Sequence, residues 1–152
     1  MLGVSWLGLI VLVKNKESAA QDTQCLDFNQ AELNFNGQSV SVAVARNSAE
    51  RKQGLAGCSV VPENVGLYFP YETAQPATFW MKGMLIPIDI IWIANGKVIG
   101  IEHNVPPPKN LVDTSNLPQY HSPEPVDAVL EMAAGNAKAL GISKNTDIVF
   151  VP

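Results

Sequence analysis

The sequence has little charge, little histidine and almost no cysteine. Charged residues fill 16% of its 152 positions, and 14 acids against 10 bases give a net charge of −4 and a pI near 5.0. No basic field exists to hold a phosphate backbone, which argues against nucleic acid as a partner. There is no glycine-rich nucleotide loop, no Gly-x-Ser-x-Gly elbow and no Ser/His/Asp order that makes a triad. The two histidines, His103 and His121, stand apart with no second ligand at metal-binding spacing. No metal and no cofactor is therefore read from this chain.

A membrane-spanning length of apolar residues is lacking too. Met1 to Val13 is uncharged and rich in Leu, Val, Ile and Trp. As a helix it would cover roughly 20 Å, against roughly 30 Å for the hydrocarbon core. That length suits the apolar part of a signal peptide, about 7–15 residues. Basic residues do not precede it; Lys14 and Lys16 follow it instead, so either the start lies upstream or the segment is an uncleaved anchor. Ser18-Ala19-Ala20 has the small residues of a cleavage site. The expectation is an exported chain, periplasmic or otherwise extracytoplasmic, or tethered to the membrane by residues 1–13, with a polar linker over 14–30. In an oxidising compartment Cys25 and Cys58 can pair across about 33 residues, for roughly 2–4 kcal/mol. Two unrelated thiols, one buried and one exposed, are the other reading. The polar Asp22-Thr23-Gln24 before Cys25 speaks against a lipid anchor there.

What the chain does have is material for one core. Hydrophobic residues make up 47% of it, and 11 prolines with 11 glycines suit a turn-rich β domain over residues 31–152. Leu33 and Phe35 alternate with polar residues, Asn36-Gly37 follows, and Val40, Val42 and Val44 alternate again. Asn95-Gly96 repeats the signal between Ile93 and Val98. An Asn-Gly pair between alternating runs marks a hairpin, because both central residues of a type I′ turn need positive φ. Asn47-Ser48-Ala49-Glu50 has the form of a capping box, opening a short helix that Gly54 ends. Val126 to Met132 reads as a strand, Asn136 to Leu140 as one or two helical turns, and Ile148 to Val151 as the last strand. Six prolines between residues 104 and 125 predict a long irregular loop. The expected fold is mainly β: an antiparallel, sandwich-like single domain with two short helices behind an apolar leader.

Phe79-Trp80-Met81-Lys82, followed by Ile86-Pro87-Ile88-Asp89, resembles the signature of domain-of-unknown-function family 192. Further matches follow in order: Glu50-Arg51 with Gly54-Leu55, Gly66-Leu67 with Phe69, Gly96 with Val98, Tyr120 with Ser122, Val129-Leu130-Glu131, Ala134-Gly135 and Gly141-Ile142. The resemblance covers about four-fifths of the chain, residues 31–152. It implies a β-sandwich-like fold, often exported, with no established biochemical activity. Three departures stand out: Gly83-Met84 where the family usually has Asn-Thr, Cys58 where it often has Arg, and Asn145-Thr146-Asp147 in place of a Gly-Asp turn.

Asp89 is the most informative candidate. Its neighbours from Met84 to Ile93 are almost all apolar, and alternation puts Ile88, Ile90 and Trp92 on one strand face and Ile91 and Ile93 beside Asp89 on the other. A carboxylate in such company needs a partner. Arg51 and Lys82 are candidates, forming a polar cleft that Glu131 can join; a structural ion pair or turn-anchoring hydrogen bond is the preferred alternative. Trp80 and Lys82 share a face and, with Tyr120, resemble a stacking platform for sugar or peptide. The more economical reading of Trp80 is a core residue packed under the long loop. The candidate ligand site is thus Arg51, Trp80, Lys82, Asp89, Tyr120 and Glu131, with no residue assigned to catalysis. The leading expectation is a non-enzymatic binding or interaction domain for a carbohydrate, a peptide or an envelope protein. A hydrolase with Asp89, Glu131 and Lys82 in one pocket is the alternative, and a structural accessory of an envelope complex is the third.

Overall fold

The computed structural model describes residues 26–27 and 30–152. The apolar segment 1–13, most of the linker and Cys25 lie outside the described residues. Among those described, a seven-stranded sheet has the order β6-β5-β8-β3-β2-β1-β9, and β4 pairs with β7 in a small second sheet. The strands are β1 (Gln30–Phe35), β2 (Gln38–Val44), β3 (Val65–Gln75), β4 (Thr78–Trp80), β5 (Ile88–Ala94), β6 (Lys97–Val105), β7 (Gln119–His121), β8 (Val126–Ala133) and β9 (Ile148–Val151). Helix α1 (Ser48–Gln53) and helix α2 (Asn136–Ala139) are both short.

Both Asn-Gly hairpins form where the sequence places them. Asn36 and Gly37 turn β1 into β2 with φ of 49° and 83°, and Asn95 and Gly96 turn β5 into β6 with φ of 52° and 68°. The sheet is antiparallel except for one pair: β2 and β3 run parallel, because the connection between them carries α1 and crosses over. The large sheet then curls until its ends meet. Lys97, at the start of β6, bridges Asp147, and the Ile148 N–H donates to the Gly96 carbonyl at 2.8 Å.

Period-2 alternation splits the core between the two faces of this curled sheet. Leu33, Phe35, Val42, Ile91, Ile93, Leu130 and Met132 fill the side that the curl encloses, with Ala137 of α2 packed among them. Leu67, Phe69, Ile88, Ile90, Trp92 and Val129 fill the other side, beneath α1, the small sheet and Cys58. Sequence alternation assigned Ile88, Ile90 and Trp92 to one face and Ile91 and Ile93 to the other, and the two clusters divide them that way. The proline-rich stretch is less irregular than expected, since Gln119–His121 forms β7 and pairs with β4. Cys58 is buried and disulfide-bonded, with the other half of its bridge outside the described residues.

Candidate functional site

Cross-strand pairing fixes the two acids of the central strands on opposite sides. Ile90 of β5 pairs with Glu131 of β8, and Asp89 pairs with Met132. Paired residues share a face and neighbours alternate, so Glu131 points with Ile90 and Asp89 points with Met132. The pocket expected to unite Asp89, Lys82 and Glu131 is therefore not built.

Asp89 has no exposed surface and belongs to the enclosed side. Its Oδ2 accepts from the Gly135 and Ala137 N–H groups at 3.0 and 3.1 Å, and its Oδ1 accepts from the Asn104 N–H at 2.9 Å. The His103 Nδ1 stands 3.8 Å from Oδ1. Arg51 and Lys82, its expected partners, are replaced by backbone amides. Gly135 is the N-cap of α2 and a glycine side cannot supply an oxygen, so Asp89 caps that helix from across the core. This is the turn-anchoring role weighed above.

Glu131 sits on the other face between Ile90 of β5 and Leu67 of β3, only 4% exposed. It accepts a hydrogen bond from the Leu55 backbone, but its Oε2 has no partner. Burial pushes its carboxyl up to about 8, against a lowering by the Leu55 bond, so the group is mostly a neutral acid at pH 7. Trp92 Nε1 and Asn136 Nδ2 are also buried without a partner; Glu131 lines a cavity.

That cavity, about 220 Å³, opens between α1 and the small sheet. Its walls are Phe69 and Tyr71 of β3, Phe79 and Trp80 of β4, and Met84, with Gly54 and Leu55 beside Glu131. Arg51, Lys52 and Lys82 stand around it. The capping box places Arg51: Asn47 Oδ1 accepts from the Glu50 N–H at 2.9 Å, and Glu50 Oε2 accepts in return from the Asn47 N–H at 3.1 Å. The box is the one anticipated from the sequence. Arg51 then donates to the Pro70 carbonyl and lies over the Tyr71 ring at 5.2 Å. The Tyr71 phenol is raised, mainly by burial and further by Glu131, with Arg51 acting against them. Gly54 carries φ of 55° and ends α1 close to the acid; a Cβ there would lie 3.7 Å from Glu131 Oε2.

Trp80 is not a core residue. It is 52% exposed, and the Lys82 Nζ sits 5.4 Å from its ring centroid. Phe79 takes the inward position instead, packing edge-on to Phe69 and to Trp92 at 5.0 and 5.7 Å between centroids. Tyr120 pairs with Phe79 across β4 and β7, so it faces inward and away from the Trp80 side. It borders a separate hollow with Met81 and Pro106 to Pro108. Arg51, Trp80, Lys82 and Glu131 thus come together, while Asp89 and Tyr120 do not. Sequence reasoning missed Tyr71, Phe79 and Gly54 as cleft residues.

Fold and site together define a small, mainly β domain with one aromatic-walled recess floored by a buried acid. The chain belongs to the DUF192 family, described as "Uncharacterized ACR", whose model matches residues 31–150. No curated protein matches it. It is similar to a solved structure from Sinorhizobium meliloti 1021 described as a "putative transcription regulator", with 26% identity over 81% of this chain and 95% of that one and a TM-score of 0.70. It is also similar to a protein of unknown function from Novosphingobium aromaticivorans DSM 12444, with 27% identity over 79% of this chain and 83% of that one and a TM-score of 0.66.

Proposed function

We propose that this chain is an exported or membrane-tethered binding domain that takes a small ligand of the cell envelope into the Glu131 cleft. The observation that carries the reading is Glu131 itself. A carboxyl this deeply buried, with one oxygen unpartnered, on a residue that lines a cavity, costs stability that packing alone does not explain. The exposed Trp80 at the rim adds a stacking surface next to a cation. Export is supported by the apolar residues 1–13 and by the disulfide at Cys58, which belongs to an oxidising compartment. Among the described residues no helix is long and apolar enough to cross a membrane. The regulator description of the Sinorhizobium protein finds no support in this chain's acidic balance, which lacks the charge for DNA.

A neutral acid in an aromatic recess also suits general acid–base chemistry. Glu131 is the one carboxylate lining the cleft, however, and Asp89 is on the far side of the sheet. Paired-carboxylate hydrolysis lacks its second acid, so binding is the better-supported function. A thermal-shift screen of envelope sugars and short peptides tests it. A true ligand raises Tm in the native protein and has no effect on Trp80→Ala. A shift of equal size in both proteins would remove Trp80 and the cleft from the binding reading.

A further inference from the structure

Charge and size narrow what the cleft can hold. Three of the chain's ten basic residues, Arg51, Lys52 and Lys82, line this one recess in a protein whose net charge is −4. Glu131 does not offset them at pH 7, because burial keeps it largely protonated. A cationic guest would meet three like charges, and a neutral one would leave them unused. A protonated carboxyl carries one O–H donor, and its best acceptor is an anionic oxygen, since charge-assisted hydrogen bonds are the strong ones. The volume of about 220 Å³ falls below the roughly 300–1,000 Å³ of sites for drug-sized molecules. It suits a body of one ring or a short branched chain. Phe79 and Trp80 provide apolar wall for such a body.

We infer that the cleft receives a small organic acid, its carboxylate hydrogen-bonded to the Glu131 carboxyl beside Arg51 and Lys82, its apolar body against Trp80 and Phe79. This rests on the cleft being the binding site at all. The Leu55 N–H donates to Glu131, and the titratable groups that line the cavity with it are Arg51 and Lys52 from α1, Tyr71 from β3 and Lys82 after β4. Tyr71 is held above its ordinary range by burial and stays neutral below pH 10. Glu131 is therefore the group whose change of charge reaches the ligand between pH 6 and 9.

Calorimetric titration of the full chain with benzoate, benzyl alcohol and benzylamine tests the inference. Benzoate binds best of the three, and its affinity falls at least several-fold from pH 6 to pH 9 as Glu131 ionises. Glu131→Gln keeps a hydrogen-bond donor but cannot ionise, so it binds benzoate with affinity that hardly changes over that range. Lys82→Met, a change at an exposed side chain, weakens benzoate several-fold and leaves benzyl alcohol as it was. Benzylamine binding that tightens with rising pH, or benzyl alcohol equalling benzoate, overturns the organic-acid inference while the cleft remains a binding site. If none of the three binds, the inference and the function proposed above both fall.

Discussion

Glu131 makes the folded protein sensitive to alkali. Its carboxyl holds a proton up to about 8 in the native chain against 4.5 ordinarily, so the native state carries the extra proton between those values. Stability contributed at this position is intact below about pH 4.5 and declines as pH rises toward 8, by about 1.4 kcal/mol per pH unit at most. Glu131→Gln has no charge to acquire. Urea titrations of both proteins at pH 5 and pH 9 should show the variant gaining on the native chain at the higher pH by a few kcal/mol. Parallel behaviour would mean the acid is solvated. Asp89 responds to a different test. Asp89→Ala strands the N–H groups of Asn104, Gly135 and Ala137, and buried unsatisfied groups cost about 1–3 kcal/mol each. A loss above about 3 kcal/mol by urea denaturation is expected, with probe binding in the cleft unchanged. A loss under about 1 kcal/mol would show that those amides find other acceptors.

At the scale of elements, α1 is too short to persist alone, since isolated helices below about 12–15 residues are marginal in water. Its capping box is what aims Arg51 at Tyr71. Asn47→Ala should cost about 1 kcal/mol and weaken binding in the cleft, both read from one set of ligand-dependent melting curves. Gly66 on β3 meets β8 without room for a side chain: a Cβ would come within 2.7 Å of the Glu131 carbonyl oxygen and of Leu130 Cδ1. Gly66→Ala is expected to destabilise by about 1–3 kcal/mol and to disturb Glu131 along with it, visible as a lowered urea midpoint.

The elements written in local residues were the ones readable from sequence. Two hairpins, the capping box and β8 follow from turn chemistry or alternation within a dozen positions. β3 escaped because Pro70 interrupts it and its pairing with β8 shifts register between Pro70 and Gln75. β4 and β7 escaped because each is three residues long and finds its partner some forty positions away. That pairing also decides that Phe79 rather than Trp80 turns inward, which no local pattern reveals. Asp89 was readable as buried and partnered, but its partners are amides 15, 46 and 48 residues distant. Arg51, Trp80, Lys82 and Glu131 were picked for their chemistry alone, and only the fold brings them to one recess.

Over the whole molecule, resistance to local opening should follow the sheet order. β5 and β8 lie inside the sheet with both neighbours paired and nearly every residue buried. Among the described residues, hydrogen exchange is expected to be slowest there and much faster in residues 107–118, which have no strand partner. Slower exchange in that segment than in β8 would contradict the packing described. Cys58 supplies a second test at this scale. Peptide mapping of the unreduced protein should recover Cys58 linked to Cys25, the other cysteine of the chain, and reduction should lower stability by roughly 2–4 kcal/mol.

The half-step offset between the acids of β5 and β8 also guards the assembly of the molecule. Sliding β8 by one residue would turn every one of its side chains over. Glu131 would then enter a hydrocarbon interior with no recess to serve, and Leu130 and Met132 would be expelled from it. The hydrophobic residues of these strands are so alike that greasiness alone would tolerate the slip. One misplaced carboxyl would not, since a buried polar group without a partner is costly, so Glu131 disfavours a one-residue slip of the central strands.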